Sequence, residues 1–127
     1  MIDQVTRKII CTAFAKGRRH DFYLFKNSKI VISQSIQLLG DKGYQGIKHY
    51  HKSSLTPYKK TRKCPLTPQQ QEINRQLASR RVVVENVIRC LKIFRILSSR
   101  YRNRKKRFGL RVNLIAGLYN YELKSGA

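Results

Sequence analysis

Residues 36–46, IQLLGDKGYQG, constrain the fold more than any other stretch. The apolar run of Ile36, Leu38 and Leu39 ends at Gly40-Asp41, and Gly43 and Gly46 follow closely. This pattern predicts a short buried strand that stops at a carboxylate and passes into a tight glycine turn. Open α/β sheets place their chemistry just beyond the carboxyl ends of strands. Asp41, beside glycines that let the backbone approach a ligand, is where a metal or a phosphate can sit. It can equally cap the next helix, with the glycines only shaping the turn. The local pattern supports both readings.

The remainder of the chain is strongly basic, with 28 Lys+Arg against 6 Asp+Glu and a formal charge of +22. That exceeds what solubility requires and predicts an anionic polymer as partner, nucleic acid first. Ribosomal and membrane-surface proteins share such a balance. No apolar run reaches the roughly 18 residues of a membrane span, and no signal-peptide core follows Met1. Cys11, Cys64 and Cys90 are odd in number, far apart and without a C-x-x-C pair. They read as reduced intracellular thiols, not a disulfide framework or a zinc site, the expectation for a cytoplasmic chain. A length of 127 residues predicts one domain, 1–127.

Residues 6–15, TRKIICTAFA, are rich in β-branched and apolar side chains and predict a strand covered on both faces. His20-Asp21 precedes a short helix with Phe22 and Phe25 inward, and Asp21 stands where an N-cap belongs. The pair invites a catalytic assignment, but a cap with a neighbouring imidazole is the simpler account. His49 and His51 lack a third ligand and lie among lysines, so both read as exposed. Residues 55–60, LTPYKK, predict an extended edge strand because of Pro57. Thr67 caps, and Pro68 opens, the longest helix, with apolar positions at Ile73, Leu77, Val84, Val87, Ile88, Leu91 and Phe94. The polar residues 78–81 are a place for that helix to bend. A last helix over 108–123 puts Leu110, Leu114, Leu118 and Tyr121 on its packed face and Asn113 and Asn120 off it.

Glu85 is the only acid between Arg80 and Arg107. It lies beside the apolar stripe, with Arg81 and Arg89 four residues away on either side. A surface ion pair there contributes only about 0.2–0.5 kcal/mol. Alternatively Glu85 points toward Asp41, and two such carboxylates can share divalent metals that act on a phosphodiester. The residues by themselves lead to a basic nucleic-acid binder with a possible metal-phosphodiesterase site.

Four pieces resemble the bacterial insertion-sequence transposases of the group numbered five, which carry an Asp-Asp-Glu active site on a ribonuclease-H-like fold. They are TRKIICTAFAKGRRHDF (6–22), DKGYQGI (41–47), the long stretch 57–104 containing RRVVVENVIRCLKIFRIL, and RFGLRVNLIAGLYNYEL (107–123). The resemblance implies that Asp41 is the second catalytic Asp and Glu85 the catalytic Glu, both metal ligands for Mg²⁺ or Mn²⁺. His20 and Asp21 also match family members without being metal ligands. The family's first catalytic Asp sits on a strand upstream of the TRKIICTAF stretch, and Asp3 matches a hairpin turn instead. The implied fold is α/β, a partial ribonuclease-H-like fold of about three strands (6–14, 36–41 and near 55–59) with flanking helices and the N-terminal strands missing. The implied chain is a single, truncated catalytic domain that needs the first Asp for activity. The implied activity is hydrolysis at element ends followed by joining of the 3′ ends to target DNA. Terminal-repeat DNA, target DNA, an N-terminal transposase fragment and a second transposase copy are the implied partners, with no membrane. The basic residues expected to face DNA are Lys42, Lys59, Lys60, Arg62, Lys63, Arg81, Arg89, Lys92, Arg100, Arg102, Arg104, Lys105, Lys106 and Arg107. The competing expectation is a non-catalytic basic DNA-binding remnant or inhibitor of transposition.

Overall fold

The structure, a computed structural model, describes residues 1–15, 18–99 and 107–126. The chain divides into two compact units, one of Ala15–Arg81 and one of Met1–Phe14 with Val82–Ala127.

In the unit Ala15–Arg81, helix α1 (Asp21–Asn27) is followed by β1 (Leu38–Leu39) and β2 (Ser54–Leu55). The two strands pair in parallel, Leu38 opposite Ser54 and Leu39 opposite Leu55. Parallel strands need a crossover, usually a helix. Here two single 3-10 turns, Lys42–Tyr44 and Ile47–His49, serve instead. Gly46 joins them at φ 87°, a left-handed conformation that glycine adopts without strain. Ile47, in this crossover, and Ser54, on β2, are fully buried. Phe22 of α1 packs edge-on against Tyr44 at 5.9 Å and Tyr50 at 5.8 Å between ring centres. Phe22 and Phe25 are thus turned inward, as the sequence predicts.

The predicted strands shorten for identifiable reasons. At the third, Pro57 has no N–H to donate, and the backbone N–H and C=O of Tyr58 are both taken by the Asn74 side chain at 2.7 and 3.0 Å. Pairing therefore stops at Leu55. His51, expected to be exposed, is 3% accessible. Its Nε2 is 3.1 Å from the Ser33 carbonyl oxygen, and its Nδ1 has no partner among the described residues.

Helix α2 (Pro68–Leu91) begins where Thr67-Pro68 predicts and stops at Leu91, so Phe94, expected on its apolar stripe, lies beyond it. Thr67 Oγ1 accepts from the Gln70 N–H at 3.3 Å, and Gln70 Oε1 accepts from the Thr67 N–H at 3.1 Å, a capping box. The helix is not interrupted at 78–81. Leu77 is buried, and Arg80 donates to Gln37 Oε1 at 2.8 Å, just before β1.

In the other unit, the segment expected as a strand over 6–14 makes one antiparallel bridge, Ile2 to Ile9. Asp3 Oδ1 accepts from the N–H groups of Val5 and Thr6 and forms the hairpin turn. On its other edge, Ile9 meets no strand. The Asn120 side chain takes its N–H and its C=O, both at 2.8 Å. Asn120 belongs to α4 (Phe108–Ser125), which follows the short α3 (Arg95–Ser98). Ile9, Val87 and Ala116 form the core, with Ile2, Leu91 and Tyr119 against it. The expected packed face of α4 is overturned. Leu110 and Tyr121 are each 70% accessible, and Leu114 and Leu118 are exposed. Gly109, Ile115 and Ala116 are buried instead. Phe14 and Ile10 are likewise exposed rather than covered on both faces.

Candidate active site

Asp41 stands two residues beyond β1, at the carboxyl end of a parallel strand. It caps the 3-10 turn that follows: Oδ1 accepts from the Gly43 N–H at 2.7 Å. The cap and the active-site readings of Asp41 are compatible. One oxygen fixes the carboxylate's orientation, and the other has no protein hydrogen bond among the described residues. Asp41 is half-buried, and its neighbour Lys42 is exposed.

The helix before this strand supplies a second group. The N-cap of α1 is His20, not Asp21 as expected: His20 Nδ1 accepts from the Phe22 N–H at 3.4 Å, and Asp21 lies in the first turn. An acid there complements the helix dipole, so a cap one residue earlier still satisfies both side chains. Gly43 shows how near His20 comes to the Asp41 turn. A Cβ built on Gly43 would lie 2.9 Å from His20 Cε1, 3.4 Å from His20 Nε2 and 3.0 Å from Asp41 Oδ1. Only glycine leaves room for both groups. Tyr44 is half-buried beside them. Burial, then the charges of Asp21 and Asp41, push its phenol above the ordinary 10.0. Sequence reasoning set His20 aside as a neighbour of a cap; the His-Asp pair itself was the available signal.

Glu85 lies on α2 in the other unit and is exposed. Among the described residues it forms no ion pair with Arg81 or Arg89. Lys59, Lys60, Arg62 and Lys63 are exposed between β2 and α2. Arg81 is half-buried, and Arg89, Lys92 and Arg107 are exposed. Arg100, Arg102, Arg104, Lys105 and Lys106 lie outside the described residues. Among the described residues, no three of His, Cys, Asp or Glu gather in a group that could hold a metal. No helix among them is long and apolar enough to cross a membrane.

A mixed fold of helices with a short parallel sheet, and an acid at a strand's carboxyl end, agree with a nuclease of the α/β type. The DDE superfamily endonuclease family matches residues 1–120, and the chain belongs to that family. It is 56% identical over 123 residues to a protein of Microchaete diplosiphon named "Probable transposase for insertion sequence element IS702". The match takes in 97% of this chain and 45% of that protein, so the chain spans about half the length of the curated relative. No solved structure matches.

Proposed function

We propose that this chain is the C-terminal part of an insertion-sequence transposase catalytic domain with a ribonuclease-H-like fold. Asp41 and Glu85 are its second Asp and its Glu. The observation that carries the reading is the position of Asp41, at the carboxyl end of β1 with one oxygen held by Gly43 and the other open, within a chain of this family. Asp41 and Glu85 would bind Mg²⁺ or Mn²⁺, hard cations that accept one or two carboxylates plus substrate phosphates. Such an ion, when bound, activates an attacking oxygen and stabilises the leaving oxygen of a phosphodiester. The chain's own part is to orient those two carboxylates and to hold the DNA backbone with its exposed lysines and arginines. The substrate is element-end and target DNA, and the remainder of the transposase supplies the first Asp.

Glu85→Gln tests this, with the chain assayed together with the remainder of the transposase. Metal-dependent strand cleavage should fall by more than the roughly 10–100-fold that loss of a ligand's hydrogen-bond partner costs, while DNA binding is retained. Equal cleavage by variant and wild type removes Glu85 from the site. The charge of +22 also supports a second reading, a non-catalytic DNA binder that inhibits transposition. Under that reading, wild type and variant bind DNA alike and neither cleaves.

A further inference from the structure

We propose that His20 contacts the substrate at the same site, with its Nε2–H donating a hydrogen bond to a non-bridging oxygen of a phosphodiester held beside Asp41. The inference rests on reading Asp41 as an active-site carboxylate. It is carried by the geometry around Gly43. The imidazole edge and Asp41 Oδ1 border one space, into which a Cβ at Gly43 would bring a carbon 2.9 Å from Cε1 and 3.0 Å from Oδ1.

The orientation of the ring decides what it can do. Nδ1 accepts from the Phe22 N–H, so the proton of the neutral ring is on Nε2. Nε2 has no protein partner among the described residues, and His20 is exposed. The ring's backbone is fixed from behind, because Phe22 is clasped by Tyr44 and Tyr50. A donor held in this way adds direction beside Asp41, which the mobile ammonium of the adjacent Lys42 does not. If the imidazole served only as a cap, Nδ1 alone would be used, and any residue that caps would replace it.

His20, His49 and His51 are the chain's three histidines, so each Cε1–H signal can be followed by NMR. The probe is a short DNA duplex titrated with Mg²⁺ into the full chain. His49 is exposed and reports general DNA contact; His51 is buried and reports the fold. The His20 signal should move in wild type and stay still in Asp41→Asn, while the His51 signal is unchanged. A His20 signal that does not move in wild type, or that moves equally in Asp41→Asn, overturns the proposal.

A cleavage assay with the remainder of the transposase separates this from the reading beneath it. If Asp41→Asn abolishes cleavage while the His20 signal never moves, the active-site reading stands and the role of His20 falls. If Asp41→Asn cleaves as well as wild type, Asp41 is not an active-site residue and both fall. His20→Asn retains a favoured cap side chain but loses the ring Nε2–H. Its cleavage should drop on the order of 10–100-fold, the size of a hydrogen bond to a charged group. Unchanged cleavage by His20→Asn counts against the proposal.

Discussion

Tyr44 registers both acids near the turn, and its phenol can be measured. Burial, followed by the charges of Asp21 and Asp41, raises its pKa above 10.0. A group whose pKa is raised by folding holds its proton longer in the folded chain than in the unfolded one. Its contribution to stability is complete below pH 10.0 and is lost as pH rises through the folded value. Asp21→Asn removes one negative charge and should shift the Tyr44 midpoint down toward 10.0 without reaching it, since burial remains. A ¹³Cζ titration of the tyrosines checks this; an unmoved midpoint would mean that Asp21 does not act on Tyr44. At this scale, the sequence made Asp41 legible because an apolar run ending in Gly-Asp has few structural uses. It did not separate His20 from Asp21 as the cap, because either side chain can accept the first-turn N–H. The burial of His51 was not legible, because Lys48 and Lys52 flank the stretch that holds it, while its contact, Ser33, lies in an earlier segment.

Helix α2 was legible as an element because its signals are local: Thr67, Pro68 and Gln70 make the start, and Ile73, Leu77, Val84, Val87, Ile88 and Leu91 follow at spacings of three, four and seven. Helix α4 had equally clear bounds, but its buried face was misread. Periodicity selects the stripe with the largest apolar side chains, Leu110, Leu114, Leu118 and Tyr121. The extended segment containing Ile9 approaches a stripe of small residues instead, where Ala116 is buried and Asn120 reaches its backbone. The predicted strand at 6–14 failed for the same reason, since a side chain and not a strand satisfies Ile9. Asn120→Ala leaves two partly buried backbone groups without partners. The expected loss is about 1–3 kcal/mol per unsatisfied group at full burial, and so about 2 kcal/mol in total for a site that water partly reaches. Urea unfolding measures it. Asn113→Ala, which removes an exposed contact with the Thr12 hydroxyl, should cost less. Equal losses would show that the backbone clamp on Ile9 has no special weight.

For the whole molecule, charge was the property most directly legible, and it bears on how the proposed contact with DNA would work. Under the proposed function, a charge of +22 on 127 residues would give counterion release a large share of the DNA affinity. Of the basic side chains, Lys59, Lys60, Arg62 and Lys63 form a run that the structure leaves exposed and without acidic partners among the described residues. Each phosphate neutralised contributes about 0.9 to the slope of log affinity against log salt. Changing all four to Gln should therefore flatten that slope by up to about 3.6 if each meets a phosphate. Contacts of this kind carry no sequence information, so affinity should fall by the same factor on element-end and unrelated duplexes. Fluorescence anisotropy across a salt series on both duplexes measures slope and specificity together. An unchanged slope would place the DNA on other basic residues. A loss confined to element-end DNA would mean that this run reads bases.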